Sequence, residues 1–201
     1  MTWQPFNAAT EQSVVFSECD WPILLHGVPK SGLSFYTIVL TADLIRRGER
    51  VVFICAKGEA IRSLQTELDL ITPAAKYSQI DRGASQALEA MQLVTIMNRP
   101  NFDLLAAVRN LKDWGERIVV VKNADALLSK ELWSLLRPHH RLIIAGDLKA
   151  SKIKLAPSDF STAIYFSPPP ATWSVKLATR PTYVGHVYQA NKNFLTIVRD
   201  L

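Results

Sequence analysis

One short segment, Gly27-Val-Pro-Lys-Ser-Gly-Leu-Ser34, carries residue types that bind phosphate. In phosphate-binding loops, two glycines separated by four residues let backbone N–H groups wrap an anion, and a lysine and a hydroxyl residue follow. Here both glycines and the hydroxyl residue are present, but Leu33 stands at the lysine position. We therefore expect a nucleotide-phosphate site without its usual charge, formed by Gly27, Lys30, Ser31, Gly32 and Ser34.

Short apolar runs alternate with helix-like segments around this loop. Runs of four to six aliphatic residues without polar alternation are typical of strands buried on both faces, and they occur at 22–26, 51–56, 118–121, 142–145 and 163–166. Helices are predicted at 33–47, 59–69, 83–98, 102–114 and 131–136. This order predicts an α/β fold, a three-layer α/β/α sandwich with a mostly parallel central sheet.

The pattern changes after three prolines at 168–170. Short β-like stretches follow at 173–178, 183–188 and 193–198, with turn residues between them. We expect residues 1–170 to form the core and residues 171–201 to form a C-terminal β extension of the same domain.

Composition excludes several classes of protein. The chain has 201 residues, of which 48% are hydrophobic and 20% charged, which excludes wholesale disorder. Two cysteines, Cys19 and Cys55, cannot build a disulfide framework. The sequence shows neither a signal peptide nor a run of about 20 apolar residues, so a cytoplasmic protein without a membrane partner is expected.

Charge is distributed unevenly along the chain. Residues 1–100 carry 9 basic and 10 acidic side chains (−1), whereas residues 101–201 carry 14 and 8 (+6). Such asymmetry favours an anionic partner for the second half, most commonly a nucleic acid. A solvated basic surface is the alternative.

The segment Ile38–Cys55, together with the loop before it, resembles the first helix and second strand of RecA-like and KaiC-like P-loop ATPases, and the resemblance extends roughly over residues 20–167. It implies a degenerate member of that group. In these families an acid after the second strand serves the attacking water, and Glu59 occupies the comparable place. A further strand ends in a metal-holding Asp, where this chain has Lys122. Asp125 lies three residues on, and we expect it to be too far round the turn to substitute.

These departures imply weak or absent hydrolysis, with no catalytic residue and no metal. Lys122 or Lys30 could instead supply the missing charge and permit metal-free nucleotide binding. Alternatively, Lys122 pairs with Glu59, and Lys30 is simply exposed. The expected cofactor is accordingly none, or weakly bound ATP or ADP.

The resemblance also suggests a DNA contact. In RecA-like recombinases the loop leaving the strand that corresponds to residues 142–145 lies along DNA, and here it carries Lys149, Lys152 and Lys154, with Arg141 before the strand. A soluble basic loop is the alternative. Aromatic residues of the C-terminal part could stack on bases or pack on the sheet: Trp173, Tyr183, Tyr188 and Phe194. The histidines at 26, 139 and 140 have no ligand spacing for a metal.

Three functions remain open from the sequence. The first is a catalytically degenerate RecA-like subunit that binds nucleic acid or regulates a partner in DNA recombination, repair or replication. Its protein partner would be a RecA-like ATPase or recombinase, or copies of itself. The second is an active ATPase with a deviant Walker A loop, and the third is a pure protein-interaction module.

Overall fold

A computed structural model describes residues 6–7, 12–13, 21–71, 77–80, 91–110, 116–139, 141–166, 184–189 and 192–198. The strands are β1 (Phe6–Asn7), β2 (Gln12–Ser13), β3 (Ile23–His26), β4 (Val51–Cys55), β5 (Tyr77–Ile80), β6 (Leu93–Met97), β7 (Ile118–Lys122), β8 (Leu142–Gly146), β9 (Thr162–Tyr165), β10 (Val184–Gln189) and β11 (Lys192–Val198). The helices are α1 (Leu33–Arg46), α2 (Gly58–Ile71), α3 (Leu104–Arg109), α4 (Ala124–Leu127) and α5 (Lys130–Leu136), with a 3-10 turn at Pro157–Asp159.

These strands form one sheet in the order β2-β1-β11-β10-β9-β3-β8-β7-β4-β6-β5. From β9 to β5 every neighbouring pair is parallel, and β3 lies between β8 and β9. Beyond β9 the pairing is antiparallel through β10, β11, β1 and β2. The carboxyl ends of the parallel strands therefore meet at one edge of the sheet, and the predicted mostly parallel α/β fold is confirmed.

Two apolar cores cover the two faces of the parallel strands. One core joins α1 and α2 to the face that carries Phe53 and Val120. The other joins α3, α4 and α5 to the face that carries Ile54 and Val121. Because strand residues alternate in direction, a strand between two helix layers must be apolar on both faces, as β4 is throughout and β7 is up to its last residue, Lys122.

Helix α1 ends where its sequence indicates. The N–H of Gly48 donates to the carbonyl of Ile45 at 3.0 Å, and Gly48 adopts a left-handed φ of 88°. Arg46 lies in the last turn, where a cation complements the helix dipole.

The predicted helix at 83–98 is wrong over 93–97, which form strand β6. Every residue of β6 is buried, and the strand pairs in parallel with β4 and β5. The β-branched residues Val94, Thr95 and Ile96 fit this doubly covered strand, and its neighbours outweigh the local helical spacing. In the segment predicted as helix 102–114, α3 begins at Leu104. Asp103 caps this helix, because its carboxylate accepts the N–H of Ala106 at 2.9 Å.

Several short elements carry no clear sequence signal: β1, β2, β5 and α4. The β-like stretch expected at 173–178 lies outside the described residues. In the described part of the chain, no helix has the length and apolar character needed to cross a membrane.

Candidate functional site

The glycine-bounded loop lies between β3 and α1, at the carboxyl edge of the sheet. It is anchored to the neighbouring strand because the N–H of Gly27 donates to the carbonyl of Gly146 at 3.3 Å. Within it, Lys30 and Gly32 adopt left-handed φ values of 69° and 86°, and the N–H of Ser31 donates to the carbonyl of Val28 at 3.1 Å. Alternation of right- and left-handed backbone is the geometry of an anion-binding concavity.

Crowding explains the first glycine of the loop. A Cβ on Gly27 would lie 2.4 Å from Ser31 Oγ, 3.0 Å from Phe166 Cβ and 3.1 Å from Leu33 Cβ. The Ser31 hydroxyl is buried and has no hydrogen-bond partner among the described residues. Native proteins leave few buried polar groups unsatisfied, so this hydroxyl marks a place where a partner is missing.

The start of α1 supplies donors to the same place. Gly32 provides no side-chain cap, and the first turn contains no acidic residue. The N–H of Tyr36 donates to the carbonyl of Gly32 at 3.0 Å, so the N–H groups before Tyr36 precede the first helical hydrogen bond. Such a helix end attracts anions.

A cavity of about 450 Å³ opens between this loop and the carboxyl ends of β7 and β8. Its volume lies within the usual range for small-molecule sites. Its lining consists of Gly27, Val28, Pro29, Lys30, Gly32, Leu33, Ser34, Phe35, Thr37, Lys122, Asn123, Asp125, Ala145, Gly146 and Asp147. The structure therefore brings four of the five loop residues expected from the sequence, Gly27, Lys30, Gly32 and Ser34, together with Lys122 in one site, whereas Ser31 is not part of the lining.

Two lysines, Lys30 and Lys122, are among the residues that line this cavity. Lys122 is the last residue of strand β7, and it is buried, with 9% of its surface exposed. It lies beside Cys55 of β4 and Ala145 of β8 through the parallel register. Its Nζ donates to Asn123 Oδ1 over a long 3.4 Å. Burial lowers the pKa of the Lys122 ammonium, and the electrostatic effect of Cys55 and of the Asp125 and Glu59 carboxylates opposes that change.

No ion pair joins Lys122 to Glu59 among the described side chains. Glu59 is exposed in the first turn of α2, where it complements the helix dipole. Lys30 is exposed on the cavity rim. Of the two roles considered for Lys122, the pairing with Glu59 is therefore not formed.

Two carboxylates lie across the cavity from the loop. Asp125 Oδ1 accepts the N–H of Asp147 at 3.3 Å, and Asp147 Oδ1 accepts the N–H of Lys149 at 2.9 Å. The chain reverses from β7 into α4 within one residue, because Asn123 adopts a left-handed φ of 61°. Asp125 lines the cavity, and whether it could take the place of the metal-holding aspartate stays a prediction.

A buried ammonium makes this cavity unfavourable for a magnesium ion, because Lys122 shares it with both carboxylates. Asp125 and Asp147 each accept one backbone N–H at Oδ1. No cluster of three or more His, Cys, Asp or Glu residues suited to a metal occurs among the described residues. The residues of the cavity fit a phosphate group better, because the uncapped helix start and Lys122 offer donors and positive charge.

No family model and no curated protein sequence matches this chain. Solved structures do. The genome-packaging NTPase B204 of Sulfolobus turreted icosahedral virus 2, in complex with AMP, matches with a TM-score of 0.65 at 13% identity over 90% of this chain and 98% of that chain. B204, the DNA-packaging ATPase of Sulfolobus turreted icosahedral virus, matches with a TM-score of 0.60 at 14% identity over 89% and 97%. The chain has a P-loop NTPase fold.

A third neighbour with this fold is much longer. The SWI2/SNF2 ATPase core of Sulfolobus solfataricus, in complex with dsDNA, matches with a TM-score of 0.50 at 14% identity over 77% of this chain and 32% of that chain. The match therefore covers about a third of that longer protein.

The basic residues expected to contact nucleic acid fall into two places. Lys149, Lys152 and Lys154 are exposed in the loop that follows β8, at the carboxyl edge of this P-loop fold. Arg141 precedes β8 at the opposite edge, where its guanidinium donates to both Glu49 carboxylate oxygens at 2.9 and 2.6 Å. The structure does not bring Arg141 together with the three lysines.

The remaining candidates from the sequence add no further site. His26 is buried, and its Nδ1 accepts the N–H of Leu148 at 3.2 Å. His140, Trp173 and Tyr183 lie outside the described residues, and only the backbone of Tyr188 and Phe194 is described, in β10 and β11.

Proposed function

We propose that this chain binds a nucleotide through its phosphates without magnesium and does not hydrolyse it. The observation that carries the proposal is Lys122, a buried cation on the wall of a phosphate-loop cavity, which makes no ion pair among the described residues. Complexes of the B204 neighbour with AMPPCP, with AMP and with sulfate support the same kind of ligand.

Burial without a counter-ion makes Lys122 costly for the empty protein. An ammonium removed from water loses solvation, and the lowered pKa of Lys122 expresses that loss. A phosphate beside it restores a charge-assisted partner, while the N–H groups at the start of α1 gain acceptors. The cost in the empty state thus becomes a preference for an anion.

Hydrolysis requires groups that this site lacks. Phosphoryl transfer depends on a loop lysine on the β- and γ-phosphates and on a carboxylate that positions the metal. Leu33 supplies no charge at the first position, and Lys122 would repel a metal at the second. We assign nucleotide contacts to Gly27, Lys30, Ser31, Gly32, Ser34 and Lys122, and we regard Glu59 as a vestigial acid.

Calorimetric titration with ADP, in EDTA and then in excess Mg²⁺, tests this assignment. We expect binding in EDTA that added magnesium does not strengthen, and no magnesium-dependent ATP turnover. Lys130→Met is the matched control for Lys122→Met, since Lys130 is exposed at the start of α5 and does not line the cavity. Binding only with magnesium, or turnover that Ser34→Ala abolishes, would show an active ATPase instead.

We further propose that the nucleotide-bound protein contacts nucleic acid as a regulatory partner in DNA recombination, repair or replication. The loop after β8 favours this role, because its three exposed lysines, at positions 149, 152 and 154, follow shortly after Asp147, which lines the cavity. The DNA-packaging and dsDNA-bound neighbours agree with it. A RecA-like ATPase or a second copy of the chain remains the proposed protein partner, and a free, buried Cys55 agrees with the cytoplasm as its location.

DNA titrations at two salt concentrations test the nucleic-acid role. We expect the triple variant K149E/K152E/K154E to lose most of its affinity and to flatten the salt dependence, because each phosphate contact contributes to the salt slope. A triple variant with unchanged affinity would favour a pure protein-interaction module.

We also propose that residues 1–170 form the P-loop core and that residues 171–201 extend it as part of the same domain. Truncation after residue 170 tests this division by its effect on the stability of the protein.

A further inference from the structure

The buried lysine of the cavity is held weakly as an ammonium ion. Lys122 is 9% exposed, and its Nζ makes one long hydrogen bond of 3.4 Å to the neutral side-chain amide of Asn123. Burial lowers the pKa of this ammonium, and the carboxylates of Asp125 and Glu59 oppose the shift without reversing it. At neutral pH, Lys122 is therefore the free amine more often than a hydrated lysine is, and a free amine is a nucleophile.

An anion site lies two strands away from this amine. Ala145 of β8 pairs with Lys122 of β7, and the next residue, Gly146, accepts the N–H of Gly27 from the end of β3. Because neighbouring strands are about 4.8 Å apart, the ends of β3 and β7 are separated by about 10 Å. The loop after β3 leads into the uncapped start of α1, which attracts anions. The amine and the anion site therefore share one cavity.

An amine beside an anion site selects a ligand that is both an anion and an electrophile. In an acyl phosphate, the carbonyl carbon is bonded directly to a phosphate oxygen. With the phosphate at the start of α1, that carbon lies on the side of the cavity that holds Lys122. Inorganic phosphate has no electrophilic carbon, and a neutral acylating agent has no anion, so neither uses both features of the cavity.

We propose that Lys122 is an acylation site whose reagent is an acyl phosphate bound at the start of α1. The inference rests on the proposed phosphate-binding function, and it adds a covalent means of regulating that site. Starting from the free amine, Nζ forms a bond to the acyl carbon, and the bond from that carbon to the phosphate oxygen breaks. The electron pair of the broken bond leaves with the phosphate, which also takes one amine proton. The products are Nε-acyl-lysine and hydrogen phosphate.

Acylation would close the site to phosphates. It converts the ammonium into a neutral amide, and the buried cation of the cavity is lost. We expect the acylated chain to bind ADP about 10- to 150-fold more weakly than the unmodified chain, which is the loss of one charge-assisted hydrogen bond. Lys122→Gln, which resembles acyl-lysine in carrying a neutral amide, should show a loss of the same size.

Peptide mass spectrometry of the full chain, treated with acetyl phosphate in EDTA at neutral pH, measures the acetylation rate at each lysine. Lys122 should react at least about tenfold faster than Lys130, which is exposed and does not line the cavity, because binding places the reagent beside the amine. Saturating inorganic phosphate should remove most of this preference. N-Acetylimidazole, which acetylates without a phosphate, should show little of it.

A titration of the unmodified chain with ADP separates the possible failures. If ADP binds and Lys122 reacts no faster than Lys130, the inference is overturned and the phosphate site stands. Fast reaction of Lys122 that inorganic phosphate does not slow, or an equal preference with N-acetylimidazole, also overturns it, because phosphate recognition would then play no part. If neither ADP nor inorganic phosphate binds, the proposed function itself fails.

Lys122→Arg tests whether acetylation of this residue causes the loss of binding. Arginine stays protonated in proteins and is not acetylated under these conditions. Treatment with acetyl phosphate should therefore leave the ADP affinity of this variant at its value before treatment, whereas the unmodified chain loses affinity. An equal loss in the variant would assign the effect to another lysine, such as Lys30 on the rim, and would overturn the inference.

Discussion

The two edges of the parallel sheet treat buried charge in opposite ways. At the amino edge, Arg141 is matched to Glu49 by two hydrogen bonds and lies 5.5 Å from the ring of Trp21. Arg117, also at this edge, donates to the carbonyl of Met91 at 2.8 Å. Each of these two guanidinium groups therefore donates to an acceptor within the fold.

At the carboxyl edge, a cation is buried without such a match. Lys122 has one long hydrogen bond to a neutral amide, and the two carboxylates of the same cavity bind backbone N–H groups. The comparison teaches that charge alone does not identify a site in this chain. The distinguishing property is a buried charge that has no counter-ion among the side chains that the structure describes.

Lys122→Met gives the largest effect expected from this difference. Loss of a charge-assisted contact should weaken ADP binding about 10- to 150-fold. The same substitution removes a desolvated ammonium, so the free energy of unfolding should rise by about 1–2 kcal/mol. Titration calorimetry and urea unfolding measure the two quantities. A variant that is both less stable and fully able to bind ADP would show that Lys122 is structural, like Arg141.

Two glycine-to-alanine variants compare the two edges of the sheet by the space that a Cβ atom would find at each glycine. A Cβ on Gly146 would lie 2.7 Å from Asp125 Oδ1 and 2.9 Å from the backbone N of Ala124, so Gly146→Ala must displace the cavity wall. We expect a loss of about 1–3 kcal/mol in unfolding free energy together with weaker ADP binding. Gly48, at the amino edge, has open space around it, and Gly48→Ala should cost about 1 kcal/mol for its left-handed φ and leave ADP binding intact. Equal effects on binding would contradict the assignment of the cavity.

Arg141→Ala should lower stability without touching ligand affinity. The pair with Glu49 is about two-thirds buried, and we expect a loss of about 1–2 kcal/mol by urea unfolding. Arg137→Ala is the matched control, because Arg137 is 65% exposed and lies 3.4 Å from Asp159, so its loss should cost less than about 0.5 kcal/mol.

Acid should erase the effect of Arg141→Ala. The hydrogen bonds from Arg141 lower the pKa of Glu49 below its ordinary value. The contribution of the pair is therefore complete above the unfolded-state pKa and is lost as pH falls through the lowered folded-state pKa. Stability curves of the two proteins should converge in that acidic range. A difference that persists at the lowest pH would mean that Arg141 acts by packing on Trp21 alone.

Alkaline pH gives the smallest effect, and it reports on Lys122. Its pKa is lowered in the empty protein, and a bound phosphate favours the charged form. ADP affinity should therefore be full below that lowered pKa and should decline a few-fold as pH rises through it, before an exposed lysine would titrate. ADP itself is fully ionised in this range. Lys122→Arg should give a flat profile, and a flat profile in the unmodified chain would contradict the role of Lys122.

Much of this fold is predictable from the sequence because its central parallel strands are mostly apolar. The runs ending at His26, Lys122 and Gly146 are short, continuous and bounded by turn residues, which is what a doubly covered parallel strand requires. Strand β6 was predicted as part of a helix, since its five residues follow a segment with helical spacing. Only its pairing with β4 and β5 selects the strand.

The candidate site was predictable on one side of the cavity only. The loop is a local pattern, and Lys122 stands at a recognisable position after it. Asp125 and Asp147 reach the cavity through the parallel register of β7 and β8, which no local pattern contains. Glu49, the partner of Arg141, is likewise 92 residues away from it in the chain. No local sequence pattern therefore predicts this ion pair.

Leu33 makes the present arrangement difficult to reverse. Its side chain is 9% exposed and belongs to the same core as Tyr36 and Ile164. A lysine introduced there alone would leave that core and place a second ammonium beside Lys122, while an aspartate at 122 alone would leave the cavity with no buried cation at all. On the proposed function, a change toward the residues of a triphosphatase would therefore have to be made at positions 33 and 122 together.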